Sequence, residues 1–166
     1  MIVPALSRKE DVEEAFLRHL YTDEMFYYTG YANSASGGLP EIVRDDGLYQ
    51  WAIVDEDDDL DLVVGYISYR IDGDTRAASH FGLFSFDRGN PAIAAALLEV
   101  IERLRGYCHR IEWRMIEGNP VQKHYDKICE KFGGTRQTLH DITVDRFGRY
   151  HDEYIYEILP EGRADR

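Results

Sequence analysis

Phe81-Gly82-Leu83-Phe84-Ser85-Phe86-Asp87-Arg88-Gly89-Asn90-Pro91-Ala92-Ile93-Ala94-Ala95-Ala96-Leu97-Leu98 is the stretch that decides the fold. It starts inside a strand, His80–Phe86, and breaks at a glycine–asparagine–proline turn. It then continues as a helix whose Ile93, Leu97, Val100, Ile101 and Leu104 fall on one face. A fifth strand, Ile111–Ile116, ends at Glu117-Gly118-Asn119-Pro120. The helix after it buries Val121, Tyr125, Ile128 and Phe132 and stops at Gly133-Gly134. This strand–helix–strand succession predicts parallel pairing at the middle of a sheet.

Outward from that centre the strands are consecutive and imply antiparallel pairing. Tyr49–Val54 and Leu62–Ile71 flank the acidic run Asp55–Asp61 and read as a hairpin, and two closing strands, Thr138–Asp145 and His151–Leu159, are joined at Arg146-Phe147-Gly148. The alternating aspartates do not make a calcium loop. Leu60 or Leu62 stands where the sharp-turn glycine is required, and neither frame has a glutamate at its twelfth position. Towards the amino terminus a short strand, Ile2–Ala5, leads to Ser7. With Glu10 three residues later, Ser7 is expected to cap a helix carrying Val12, Phe16, Leu17 and Leu20. Tyr21–Tyr31 is dense in aromatics, residues 33–38 read as a mobile loop, and a second helix is expected over Leu39–Asp45.

The composition narrows the functions open to the chain. Its 166 residues are 44% hydrophobic and 30% charged, as in an ordinary globular domain, and its formal net charge is −12. No Lys/Arg cluster offers a phosphate-binding face, so nucleic acid is not an expected partner. No segment has the length to span a membrane or the pattern of a signal peptide, so the cytoplasm is the expected location. Cys108 and Cys129 do not form a secreted framework, and the six histidines lack metal-ligand spacing, so no metal is expected.

The opening stretch resembles the fourth strand, pyrophosphate loop and following helix of the GNAT superfamily of N-acetyltransferases. Ile128-Cys129-Glu130-Lys131-Phe132-Gly133-Gly134 resembles that family's Tyr-x-Lys-x-Gly-Phe helix end. Phe147–Tyr156 looks like the closing hairpin of its ribosomal-protein-type members. The resemblance implies an α/β fold of the α+β type. It would have a mixed, mostly antiparallel sheet splayed between strands 4 and 5, helices on both faces, and the whole of residues 1–166 in one domain. The implied activity is acetyl transfer from acetyl-CoA to a primary amine of a small molecule or peptide. A weakly active or inactive GNAT-fold module that binds acyl-CoA or a protein is the alternative. The resemblance also leaves a homodimer open.

Site residues follow from the same resemblance. A helix start offers unpaired N–H groups and partial positive charge to a pyrophosphate. The expected cradle is Arg88, Gly89, Asn90, Ala92 and Ala94. It matches the family's Gln/Arg-x-x-Gly-x-Gly/Ala loosely: Ala92 replaces the first glycine, Gly89 stands where Gln or Arg belongs, and Pro91 removes one N–H. The main chain of Phe84, Ser85 and Phe86 would bond the pantetheine amides. Asn119 would either bond the cofactor or only cap its helix. For the proton donor to the departing thiolate, one register selects Tyr125 and the other Cys129. A phenol with a pKa near 10 suits the task better, although Tyr125 could equally be a core residue. Glu117 or water would be the general base. Glu24, Phe26, Tyr27 and Tyr28 are expected in the acceptor wall. The net charge and the aromatic stretch together suggest a cationic acceptor amine.

Overall fold

The computed structural model describes residues 1–29, 39–56 and 61–160. Among them are seven strands: β1 (Ile2–Pro4), β2 (Leu48–Val54), β3 (Val63–Asp72), β4 (Ala77–Ser85), β5 (Arg110–Ile116), β6 (Thr135–Val144) and β7 (Tyr150–Ile158). There are also four α-helices: α1 (Lys9–His19), α2 (Asp23–Thr29), α3 (Pro91–Tyr107) and α4 (Gln122–Lys131). The strands form one sheet in the order β1-β2-β3-β4-β5-β7-β6, with β4 parallel to β5 and the other neighbours antiparallel. This is the expected mixed α/β architecture.

Alternation along the strands builds a core on each face. Ile53, Ile67, Leu83 and Trp113 pack with α3 and α4 residues such as Leu97, Ile101, Tyr125 and Ile128. Their strand neighbours Ala52, Tyr66 and Phe84 point the other way, onto Val12, Phe16 and Met25 of α1 and α2.

Two local expectations need correction. Residues 39–45 hold no helix, and the second helix is α2. The 39–45 segment is instead pinned to β2 by one side chain: Gln50 Nε2 donates to Glu41 O at 2.7 Å, and Gln50 Oε1 accepts from Val43 N at 3.1 Å. Pro40, with no N–H to give, further disfavours a helix there. Ser7 does not cap α1. It lies in a 3-10 turn, Ala5–Arg8, and its hydroxyl donates back to Pro4 O at 2.7 Å. The expected loop at 33–38 and most of the acidic run lie outside the described residues.

Candidate functional site

The sheet opens at its centre. β4 and β5 pair through Ala77↔Arg110, Ala78↔Ile111 and Phe81↔Trp113, and the pairing then ends. β4 nevertheless continues to Ser85 along β3, and β5 to Ile116 along β7. The two strands therefore diverge into a slot with an unpaired backbone edge on β4. Phe86 N–H bonds Val64 O on β3 at 2.9 Å. By strand alternation the main-chain groups of Phe84 also face β3, whereas those of Leu83 and Ser85 face the slot. Leu83 was missed by the sequence reading, since only the β3 register, Tyr66↔Phe84, decides which residues alternate inward.

The mouth of the slot is a groove of about 330 Å³ bordered by Ser85, Arg88, Gly89, Ala94, Pro120 and His124. Gly89 has φ +84°, a conformation that disfavours a side chain, and open space lies where a Cβ would stand. Behind it the first N–H groups of α3 are partly spent. Ala92 N donates to Asn90 Oδ1 at 2.9 Å and Ile93 N to Asn90 O at 3.2 Å. Asn90 Nδ2 donates to Asp55 Oδ2 at 2.8 Å and Asp87 Oδ2 at 3.0 Å, so two carboxylates stand beside the cradle. Arg88 is held by Glu24 of α2 at 2.5 Å. Desolvation opposes the Glu24 charge, but its own main-chain N–H, the Thr22 hydroxyl, Arg88 and His19 together lower its pKa below the ordinary carboxylate value.

Further in, the slot narrows to about 30 Å³ between Tyr28, Leu83, Phe84, Ser85, Asn119 and Val121. Tyr28 lies against Gly82, the first β4 residue past the last β4–β5 pair. A Cβ there would stand 3.0 Å from its ring, so glycine is what lets α2 close on the strand. Desolvation and the nearby Tyr66 raise the Tyr28 pKa, and a hydrogen bond with Ser68 opposes the rise. Tyr125 approaches from α4, its ring tilted against Trp113 at 5.5 Å and Tyr156 at 5.9 Å. Desolvation, then Tyr28 and Tyr156, push its phenol well above its usual pKa. Of the two phenols, Tyr28 lines the slot, while Tyr125 packs in the core with Trp113 and Tyr156, near enough to Tyr28 for one phenol to act on the other.

Of the remaining candidates only Asn119 borders the slot. Cys129 is buried at the far end of α4, and its thiol donates to Thr135 O of β6 at 3.5 Å. Desolvation and Asp126 raise its pKa, with Arg136 opposing, so it stays a neutral thiol. Glu117 accepts from the Tyr154 hydroxyl at 3.0 Å, on the β7 side of β5, while the slot opens on the β4 side. Asn119 caps the turn before α4, accepting from Val121 N at 3.0 Å, and its amide donates to Tyr27 O at 3.4 Å. Phe26 and Tyr27 line a separate cavity beside the β6–β7 hairpin. Among the described residues no cluster of His, Cys, Asp and Glu could hold a metal ion, and no helix is long and apolar enough to cross a membrane.

Neither a protein-family model nor a curated protein matches the sequence. Solved structures do. Ribosomal-protein-alanine N-acetyltransferase from Brucella melitensis is 20% identical, with a TM-score of 0.64 over 96% of this chain and 99% of that one. Spermidine N-acetyltransferase from Vibrio cholerae, in complex with CoA and spermine, is 14% identical, with a TM-score of 0.66 over 96% and 95%. At these identities the likeness is one of fold, and the fold is that of the GNAT N-acetyltransferases.

Proposed function

Taking the GNAT fold as premise, we propose that this chain is an N-acetyltransferase that moves an acetyl group from acetyl-CoA to a primary amine of a small molecule or peptide. The observation that carries the reading is the slot, with an unpaired β4 edge along its length, a groove at a helix start as its mouth and Tyr28 at its inner end. Bound there, acetyl-CoA would supply the acetyl thioester. Leu83 and Ser85 would pair with the pantetheine amides through the main chain. Arg88 and His124 would attend the phosphates, with Arg88 first released by Glu24. The anionic end also meets Asp55 and Asp87, so the cradle fits a pyrophosphate less well than the slot fits the pantetheine.

In the overall exchange a C–N bond to the acceptor forms and the C–S bond breaks, while the amine loses a proton and the sulfur gains one. Tyr125, a neighbour of Tyr28, would supply the proton to the sulfur, its raised pKa keeping the phenol protonated across the neutral range. Glu117 is bonded to Tyr154 on the other edge of β5, which leaves removal of the amine proton to water. Buried, unbridged Cys108 and Cys129 accord with a reducing, cytoplasmic setting. The carboxylates at Asn90 favour a second reading, a GNAT-fold module that binds acyl-CoA weakly and acts through protein contact. A thermal-shift measurement with acetyl-CoA and CoA, followed by a thiol-release screen over an amine library, separates the two. The first reading predicts stabilisation by acetyl-CoA and turnover of at least one amine. Stabilisation with no thiol release from any amine would favour the second.

A further inference from the structure

Between α2 and the β6–β7 hairpin lies the separate cavity, of about 110 Å³, lined in part by Tyr21, Phe26, Tyr27, Arg146, Phe147 and Arg149. Its floor is aromatic: Phe26 packs edge-on against Tyr27 at 5.4 Å and tilted against His151 at 5.2 Å. Its rim carries two arginines, Arg146 and Arg149, whose guanidinium carbons lie 4.8 and 5.2 Å from the centroid of the exposed Phe147 ring. Two carboxylates also line the cavity. Asp145 is committed to the turn itself, where it accepts from Phe147 N at 2.8 Å, Arg149 N at 3.0 Å, Arg149 Nε at 2.9 Å and His151 Nε2 at 3.1 Å. Asp23 pairs with Arg146 at 2.9 Å across the opening, with 71% and 55% of the two side chains exposed. Such an exposed pair is weak and screened, so a ligand can replace it.

We infer that this cavity holds the carboxylate of the acceptor, and that the acceptor class is an amine bearing a carboxylate. The inference rests on the acetyltransferase reading. Arg146 has a partner it can exchange at little cost, and a ligand carboxylate in its place gains a charge-assisted contact against an aromatic floor. The cavity and the slot are neighbours through α2: Tyr27 lines the cavity and approaches Gly118 at the end of β5, its hydroxyl 3.4 Å from where a Cβ would stand, and the next residue, Tyr28, lines the slot. A diamine of similar length can pair its second cation with Asp23, but only a carboxylate matches the planar guanidinium fork of Arg146. The cationic acceptor suggested by net charge is thus the class set against this inference in its test.

The test uses β-alanine, γ-aminobutyrate and ε-aminocaproate, each beside its carboxamide, with putrescine and cadaverine as the cationic counterparts. In a thiol-release assay with acetyl-CoA, kcat/KM for the best carboxylate should exceed that for its amide by about tenfold or more. Arg146→Gln and Arg149→Gln should each erode that preference through KM rather than kcat. Asp23→Asn, which removes the competing carboxylate without touching a folded contact of the turn, should lower KM for the carboxylates. Equal or better turnover of the amides or diamines, or a preference that survives both arginine variants, overturns the inference. Calorimetric titration of the same compounds without acetyl-CoA separates the two failures. Carboxylate binding that is lost in Arg146→Gln, with no thiol release from any amine, upholds the cavity and sinks the acetyltransferase reading. No carboxylate binding, with thiol release from other amines, does the reverse.

Discussion

Two asparagine–proline turns face each other across the slot mouth, and locally they are built alike. Asn90-Pro91 opens α3 and Asn119-Pro120 leads into α4, and each Oδ1 accepts from the main-chain N–H two residues on, at 2.9 and 3.0 Å. They differ in what the other side-chain atom holds. Asn90 Nδ2 bridges the carboxylates of Asp55 and Asp87, whereas Asn119 Nδ2 reaches the main-chain oxygen of Tyr27 in α2. The same dipeptide therefore closes the chain locally in both places, at Asn90 as a helix cap and at Asn119 as a turn before α4, and the tertiary partner sets the further consequence. One turn keeps negative charge beside a candidate anion cradle, and the other ties the candidate acceptor wall to the slot.

The largest effect expected from this contrast is on the α4 side, where the helix that follows Asn119-Pro120 carries Tyr125, the proposed proton donor. Tyr125→Phe should lower turnover by roughly two to four powers of ten, the range for a positioned acid–base group. Cys129→Ala, on the β6 side of the same helix, should keep most activity. Burial, Tyr28 and Tyr156 raise the Tyr125 pKa above its usual value near 10, so the phenol stays protonated at neutral pH. The pH–rate profile of Tyr125→Phe should therefore fall in height and keep its shape between pH 6 and 9, roughly. Steady-state kinetics on both variants would show it, and a reversal of the two would move the donor to Cys129.

A smaller effect tests the turns themselves. Asn119→Ala should cost about 1 kcal/mol, the usual net worth of a hydrogen bond such as the one that closes its turn. Asn90→Ala should cost more at low salt, because it also leaves Asp55 and Asp87 without the amide between them, and that excess should shrink as salt is added. Denaturant melts of the two variants at low and high salt measure the difference, and equal costs would mean that the third contact is energetically silent. The smallest effect expected is on the cofactor. Asp87→Asn should tighten acetyl-CoA binding by about two- to fivefold, as for one exposed charge, and less in high salt. Unchanged or weaker binding in a titration would show that Asp87 does not act on the phosphates.

Much of this architecture was legible because its signals are periodic. Ile93, Leu97, Val100 and Leu104 at helical spacing gave α3, and the chain order of strands gave the parallel β4–β5 pair. α2 was hidden because Asp23–Thr29 is a short helix whose aromatic residues are poor helix formers, held by the burial of Met25 and Phe26 rather than by propensity. The Leu39–Asp45 expectation failed because Gln50, distant in pattern though near in sequence, binds that segment in another form. At the site, Tyr28 and Tyr125 were each proposed, but no sequence pattern told that they approach one another. The hairpin cavity was not legible at all. Arg146 and Phe147 read as turn residues, and only the folded turn shows that Asp145 is consumed within it, by Arg149 among others, while Arg146 reaches across to Asp23.

Calorimetric titration of acetyl-CoA into the unmodified protein and into the Ala92→Glu, Ala94→Glu double variant tests the central claim most directly. Both alanines stand in the first turn of α3, and Ala94 borders the slot mouth. A carboxylate there opposes a pyrophosphate by charge and bulk. The account predicts saturable one-to-one binding to the unmodified protein and its loss in the variant, with an unchanged circular-dichroism spectrum. No binding to the unmodified protein, or equal binding to both, would contradict it.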